Sequence, residues 1–185
     1  MLFKPVFDEV NLFQKTFDNY SKTMKLVLVS IFACMAAILQ SAGGFLPGVG
    51  YLISPLATAP ILLCTVFSIP FGVMAYVVTI LLLVVIQPTE LIIFPFTTGL
   101  LALGIGAAFH FLKVRLSIIV AGAFALTLGI VTVLYIFQFP ILGPVASNSF
   151  SLLTTGSILL FSLFYSWLWV EISLKIIKRL NKILT

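Results

Sequence analysis

Charge is what this sequence has least of. Only 8% of its 185 residues are Asp, Glu, Lys or Arg, whereas 62% are hydrophobic. So small a charged fraction cannot cover the surface of a water-soluble globule, and that class is excluded. Several apolar runs approach the length of about 20 residues that a helix needs to cross a bilayer. We therefore predict an all-α integral membrane protein.

Side chains that could catalyse a reaction or bind a metal are also scarce. The chain has one histidine, His110, and two cysteines, Cys34 and Cys64, each inside an apolar run. Such thiols act mostly as small hydrophobic side chains, so we expect neither a disulfide nor a redox site. No HExxH, GxSxG or GxxxxGK[ST] motif occurs, and no ionisable side chain lies in mid-span to relay ions. These absences argue against an enzyme, a bound metal or other cofactor, and a transporter with its own energy source.

The first 22 residues are amphipathic rather than uniformly apolar. Apolar side chains recur at intervals of three and four on one face: Phe3, Val6, Phe7, Val10, Phe13, Phe17 and Tyr20. This pattern predicts an interfacial helix over residues 1–22 that lies flat on the bilayer, ahead of a transmembrane domain over residues 23–182. Docking of this helix on a cytoplasmic partner is the alternative.

The transmembrane domain divides into six predicted spans at Gly, Pro and the few charged residues. The spans are 24–41, 51–68, 70–87, 90–112, 115–139 and 152–176. With six spans, all ten Lys and Arg residues fall on the same side of the membrane as the N-terminus. Glu90 is then the only charged residue on the other side. The positive-inside rule then places both termini in the cytoplasm. The net charge of +5 is explained by this orientation, without a nucleic-acid partner.

The first span carries a stripe of small side chains that lipid contact alone does not require. Its members Ser30, Ala33, Cys34 and Ala37 recur at intervals of three and four. Small residues at this spacing let another helix approach closely. We interpret these four residues as an interface with a partner subunit.

Polar but uncharged residues gather near the outer ends of the spans, together with Glu90. The prolines of "QPTE" and "FPFTTG" free backbone carbonyls there that could bond a ligand. We therefore predict an outward-opening binding pocket with apolar walls and a few polar groups. Its candidate substrate-binding residues are Gln40, Tyr51, Gln87, Glu90, Thr97, Gln138 and Asn148.

Size, span number, basic ends and the first span "KLVLVSIFACMAAI" together resemble the S components of energy-coupling-factor (ECF) transporters. These are the substrate-binding subunits of a type of bacterial ABC transporter that imports vitamins. Ala33 and Ala37 match the small-residue AxxxA pattern typical of the family's first span. The resemblance implies an S-component-like bundle in the bacterial cell membrane. It also implies that the bundle docks on the ECF transmembrane coupling subunit, which two ATPase subunits drive, and delivers a small-molecule substrate.

The predicted outer side lacks any Lys or Arg to pair with an anionic ligand, so we expect a neutral or cationic substrate. A cationic substrate would pair with Glu90; the alternative is that Glu90 is a solvated acidic residue of the loop. The main alternative function is a non-transport scaffold of a cell-envelope complex, which would resemble the small rod-shape-determining membrane proteins. An immunity- or holin-like membrane protein is a third reading.

Overall fold

The computed structural model describes residues 7–46, 48–138 and 152–184. Helices make up nearly all of these residues, and no β-strand occurs among them. Six helical segments are long and apolar enough to cross a membrane: Lys22–Phe45, Gly50–Phe67, Ile69–Ile86, Glu90–Phe111, Arg115–Ile136 and Thr154–Lys182. The prediction of an all-α membrane protein is therefore confirmed, with six helical segments able to span a membrane.

Nine α-helices build the described part of the chain. They are α1 (Phe7–Asp18), α2 (Lys22–Phe45), α3 (Gly50–Ile53), α4 (Thr58–Phe67), α5 (Ile69–Ile86), α6 (Glu90–Phe96), α7 (Thr98–Phe111), α8 (Arg115–Val131) and α9 (Leu152–Leu184). A 3₁₀ turn, Ser54–Ala57, joins α3 to α4, and a π-helical turn, Thr132–Ile136, extends α8.

Short connections make neighbouring spans antiparallel, so the turns alternate between two ends of the bundle. One end holds α1, the 112–114 turn and the last turns of α9, and we call it the basic end. It carries every Lys and Arg of the described residues: Lys15, Lys22, Lys25, Lys113, Arg115, Lys175, Lys178, Arg179 and Lys182. Lys4 lies outside the described residues. The opposite end holds the 87–89 turn and Glu90.

The second and fourth spans are not continuous helices. Pro55 sits in the 3₁₀ turn within the second span, which agrees with the irregularity its prolines predict. The fourth span breaks at Thr97, which has φ −115° and ψ −95°. Pro95 lies just before this break, and a proline lacks the N–H that would continue the helical hydrogen bonding. In membrane proteins, irregular backbone of this kind is tolerated where protein or a cavity surrounds it.

Other helices hold the broken fourth span in place from both sides. From α5, the Tyr76 hydroxyl donates to the carbonyl oxygen of Pro95 at 3.1 Å. From α8, the backbone at Gly129 contacts the carbonyl group of Phe96 so closely that a Cβ would overlap it. The break is therefore a packed feature with a defined position.

The small residues of α2 are divided between the interior and the surface. Ala33 and Ala37 have no exposed surface, whereas Ser30 and Cys34 are exposed. The inner pair faces the protein's own helices: α2 packs against α5, and Thr79 of α5 donates to the carbonyl oxygen of Ala33 at 3.3 Å. The assignment of Ala33 and Ala37 to a partner interface is therefore wrong, because the bundle itself uses the close approach that small side chains allow.

An Ala33→Leu variant is expected to destabilise the isolated protein. A leucine would force extra atoms into the contact between α2 and α5, and overpacking of this kind typically costs about 1–3 kcal/mol. Thermal melting of the purified protein in detergent measures the effect. Cys34→Leu is the matched control, because its side chain adds similar bulk at the neighbouring exposed position. Equal melting temperatures for the two variants would contradict the internal packing of Ala33.

The amphipathic N-terminal helix α1 covers the basic end of the bundle. The predicted flat orientation requires the aromatic face of α1 to point to lipid. Instead this face is buried in the protein, since Val10, Phe13 and Phe17 are at most 2% exposed. Phe13 and Phe17 stack on Phe67 of α4 with ring centroids 4.4 Å and 4.3 Å apart. Helix α1 also packs against α9. The protein's own helices, rather than lipid or a partner, cover this face.

A histidine bridge joins α1 to the second and fourth spans. Nε2 of His110 lies 2.8 Å from the carbonyl oxygen of Thr65, and Nδ1 lies 3.2 Å from Nε2 of Gln14. A carbonyl only accepts, so Nε2 of His110 donates and Nδ1 accepts from Gln14. The Gln14 amide also donates to the carbonyl oxygen of Val66 at 3.0 Å. His110 therefore has a positioning role at the basic end.

Helices α8 and α9 pack closely in the half of the bundle nearest the basic end. Arg115 pairs with Glu171 at 3.2 Å, and the Ser166 hydroxyl donates to the carbonyl oxygen of Ile119 at 2.8 Å. Gly122 leaves room for the Ser166 side chain, which a Cβ at that position would overlap. Beyond this contact, toward the opposite end, the space between the two helices is not filled.

Candidate functional site

A cavity of about 520 Å³ lies in the half of the bundle farther from the basic end. Its wall combines residues of the second, fourth, fifth and sixth spans. The lining residues are Pro55, Ile93, Thr97, Thr98, Leu126, Ile130, Thr154, Ser157, Ile158, Phe161 and Tyr165. The volume and the apolar wall with a few hydroxyl groups are typical of a site for a small organic molecule.

The fold leaves this space open for identifiable reasons. The break in the fourth span puts Thr97 and Thr98 at the wall in place of a regular helix surface. On α9, the wall runs from Thr154 to Tyr165, which at 1.5 Å per residue is about 16 Å along the helix axis. The cavity therefore reaches about half-way through a hydrocarbon core of about 30 Å.

The part of the cavity wall that the fourth span forms, which we call the fourth-span wall, consists of Ile93, Thr97 and Thr98. A buried polar network lies directly behind this wall. The Gln40 amide donates from Nε2 to Oε2 of Glu90 at 2.8 Å, and the Thr98 hydroxyl donates to Oε1 of Gln40 at 2.9 Å. Gln40 is 1% exposed, Glu90 6% and Thr98 9%. Gly43 permits this approach, because a Cβ there would lie only 2.9 Å from Oε1 of Glu90. Thr98 thus connects the network to the cavity.

The structure brings together some of the predicted substrate-binding residues and separates others. Thr97 lines the cavity, while Gln40 and Glu90 lie behind Thr98 without lining it. The Gln87 amide donates to the Thr89 hydroxyl at 3.0 Å on the exposed side of the turn.

Three more of those candidates lie apart from the cavity or outside the described residues. Tyr51 is 69% exposed, and Gln138 is also exposed. Neither residue lines the cavity. Asn148 lies outside the described residues.

No charged side chain lines the cavity, which bears on the expected ligand. The Glu90 carboxylate is already hydrogen-bonded to Gln40 and is separated from the cavity by Gln40 and Thr98. Within the described ranges, no three His, Cys, Asp or Glu side chains come close enough together to hold a metal ion. A neutral ligand matches this wall better than a cationic one.

Sequence reasoning did not find the walls contributed by α8 and α9. Leu126, Ile130 and Ile158 have the same composition as lipid-facing positions, so no local signal separates them. Tyr165 carries a polar group in the middle of the sixth span. A polar side chain at that depth usually faces the interior of the bundle, so Tyr165 was the residue that could have indicated this wall.

The six spans define a multi-pass membrane protein. The chain matches no protein-family model, no curated protein and no solved structure.

Proposed function

We propose that this protein is a membrane-embedded substrate-binding subunit, the S component of an ECF-type importer. It takes up a neutral, vitamin-like small molecule from outside the cell and delivers it with the help of partner subunits. The observation that carries the proposal is the cavity of about 520 Å³, whose wall is apolar, carries several hydroxyl groups and has no charge. A protein acting only as a scaffold has no need of such a cavity.

Orientation supports uptake from outside. The positive-inside rule assigns the basic end to the cytoplasm, and the cavity lies toward the opposite end of the bundle. Both termini are then cytoplasmic, and α1 covers the cytoplasmic ends of the spans. A ligand would reach the cavity from the outer side of the bacterial cell membrane.

Partner subunits supply the energy in this proposal. The sequence contains no nucleotide-binding motif of the GxxxxGK[ST] kind, so the ECF coupling subunit and two ATPase subunits would drive release of the substrate. Of the four small residues first assigned to the interface, only Ser30 and Cys34 are exposed. The proposed contact with the coupling subunit is therefore through the face of α2 that these two residues share.

The substrate is proposed to be neutral. A cationic ligand would need the Glu90 carboxylate at the wall, but Gln40 and Thr98 stand between Glu90 and the cavity. An anionic ligand would need a basic partner, and every Lys and Arg of the described residues lies at the basic end. Burying a charge without a partner is unfavourable, so both charged classes are disfavoured.

Purification followed by mass spectrometry tests this function. A neutral small molecule is expected to copurify with the wild-type protein and to be depleted in a Leu126→Trp variant, because the larger side chain fills the cavity. Leu128→Trp is the matched control, since Leu128 is on the same helix, 50% exposed, and outside the cavity wall.

The same preparation distinguishes the rival functions. Copurification with a coupling subunit and paired ATPases supports the import function. Stable association with cell-wall enzymes, together with an empty cavity, would refute it in favour of the scaffold.

A further inference from the structure

We propose that the cavity takes up an uncharged, hydrocarbon-like molecule from the outer leaflet of the bilayer, through a side opening at Phe161 of α9. Two independent features of the cavity support this. The polar atoms of the wall are bonded within the protein, and Phe161 connects the wall to the lipid-facing surface. This inference rests on the proposed function and narrows its substrate class from a neutral molecule to an apolar one.

The hydroxyl groups of the fourth-span wall are held by other protein groups. The Thr97 hydroxyl donates to the carbonyl oxygen of Ile93 at 2.7 Å, one turn earlier in the span. The Thr98 hydroxyl is hydrogen-bonded to the buried Gln40 amide at 2.9 Å. A hydroxyl held in this way leaves the methyl group of the threonine as the part of the side chain that faces a ligand.

The rest of the wall is apolar as well. The Tyr165 hydroxyl lies beside Thr58 and Trp169, so the aromatic ring of Tyr165 is the part that contacts the cavity. Aliphatic side chains form much of the remainder: Ile93, Leu126, Ile130 and Ile158. The surface of the cavity is therefore almost entirely carbon. A polar group of a ligand would be buried there without a partner, which is unfavourable.

The size of the cavity limits the size of the ligand. An apolar cavity of about 150 Å³ binds benzene, so one of about 520 Å³ has room for roughly 20 carbon atoms. An uncharged molecule of that size without polar groups dissolves in the hydrocarbon of the bilayer far better than in water, because burial of apolar surface is favourable. The bilayer is therefore the main source of such a ligand.

Phe161 connects the cavity to the outside of the bundle. It lines the cavity, yet it is 54% exposed. Ser157, one turn earlier on α9, is also both a lining residue and exposed. By contrast, the lining residues of α8, Leu126 and Ile130, are buried. The cavity is therefore open beside α9.

The depth of Phe161 places this opening in the hydrocarbon of the outer leaflet. Lys175 of α9 is exposed and marks the cytoplasmic boundary of the sixth span. A hydrocarbon core of about 30 Å corresponds to about 20 helical residues, which puts the outer boundary near Thr155. Phe161 is then about 9 Å inside that boundary, within a leaflet about 15 Å thick. An apolar molecule can enter here without passing through water.

Equilibrium dialysis with diphenylmethane and benzhydrol tests the substrate class. Both compounds have two phenyl rings on one carbon atom, and benzhydrol carries a hydroxyl group on that atom. The full chain is reconstituted in lipid nanodiscs, and retention is corrected with empty nanodiscs. Each affinity is referred to the concentration of the compound in the lipid, so that its general preference for hydrocarbon cancels.

Diphenylmethane should bind at least about fivefold more tightly than benzhydrol, because the benzhydrol hydroxyl finds no partner in the cavity. Equal binding, or tighter binding of benzhydrol, would overturn the inference and leave the cavity as a binding site.

A Thr97→Val variant checks that the fourth-span wall presents no hydroxyl to the ligand. Valine has nearly the shape of threonine without the hydroxyl group, so the ratio of the two affinities should match wild type. A selective loss of benzhydrol binding would mean that the Thr97 hydroxyl contacts the ligand, and the apolar substrate class would be wrong. Leu126→Trp is the control for the site, because its larger side chain fills the cavity and should abolish the corrected retention of both compounds.

Spin labelling tests the side opening. Phe161→Cys is made in a chain with Cys34→Ala and Cys64→Ala, and a nitroxide is attached. Collisions with lipid-soluble oxygen should be as frequent as at a labelled Leu128→Cys, whose position on α8 is 50% exposed at a similar depth. Frequent collisions with a water-soluble nickel complex would place the opening in water, and few collisions with either reagent would mean that it is closed. Each of these results would overturn entry from the bilayer.

Failure of this inference and failure of the proposed function give different results. A polar neutral molecule that copurifies with the protein and is depleted in Leu126→Trp would overturn the apolar substrate class and keep the proposed function. Retention of neither compound by the wild-type protein, together with no copurified molecule, would count against the cavity as a binding site, and both proposals would then fail.

Discussion

A Gly129→Ala variant is expected to unfold more readily than the wild-type protein, and its cavity is expected to be disturbed. The added Cβ would overlap the carbonyl group of Phe96, at the break in the fourth span. Backbone atoms cannot rotate away as a side chain does, so α8 or the break itself must move. Overpacking in a well-packed core typically costs about 1–3 kcal/mol, and the rigid neighbour places this change toward the upper end.

Gly156→Ala is the control for this prediction. No atom lies within 4 Å of the position that its Cβ would take, and Gly156 lies within α9. Alanine is favoured over glycine in a helix by up to about 1 kcal/mol, so this variant should be neutral or more stable. Thermal melting in detergent compares the two. A Gly129→Ala variant as stable as wild type would show that α8 does not press against the break.

The second large effect is expected from Gln40→Leu. The change removes the hydrogen bonds to Glu90 and Thr98, and it leaves a carboxylate and a hydroxyl buried without these partners. A buried polar group without a partner costs about 1–3 kcal/mol, and more where the group is charged. We expect a marked loss of stability, together with weaker binding of ligands at the fourth-span wall.

Two companion variants make this second prediction specific. Gln87→Leu removes an exposed hydrogen bond at the same end of the bundle, and its stability should stay close to wild type. The double variant Gln40→Leu, Glu90→Leu removes the stranded carboxylate and should recover part of the lost stability. Chemical unfolding of the purified proteins measures all three. If Gln40→Leu were as stable as Gln87→Leu, the buried network would have no stabilising role.

The sequence predicted the helical framework well, because hydropathy and the placement of charge follow directly from the bilayer. Six spans and the gathering of basic residues at one end both needed only the apolar runs and the positions of Lys and Arg. Pro55 also marked the irregular second span. The break itself, at Thr97, was not predicted, since its position depends on contacts from Tyr76 and Gly129 in other helices.

The small-residue stripe shows where sequence reasoning fails. Ala33 and Cys34 are adjacent and both small, yet one is buried and the other exposed. A small side chain indicates that another helix approaches, but it does not say whether that helix belongs to the same chain. Only the packing of α2 against α5 separates the two cases.

The candidate site was predicted in part for a similar reason. Polar residues near span ends pointed to Gln40, Glu90 and Thr97, which the structure places within one region. The same signal also selected Tyr51 and Gln138, which are exposed. Polarity alone does not distinguish a group that turns inward from one that faces water or lipid headgroups.

The docking of α1 has a consequence for the order in which the protein assembles. Helix α1 comes before all six spans in the chain, whereas α9, against which it packs, forms the sixth span. During synthesis, the aromatic face of α1 therefore lacks this neighbour until the five intervening spans have been made. We expect the bilayer surface to cover the apolar face of α1 during that interval, in the flat orientation that the first 22 residues predict.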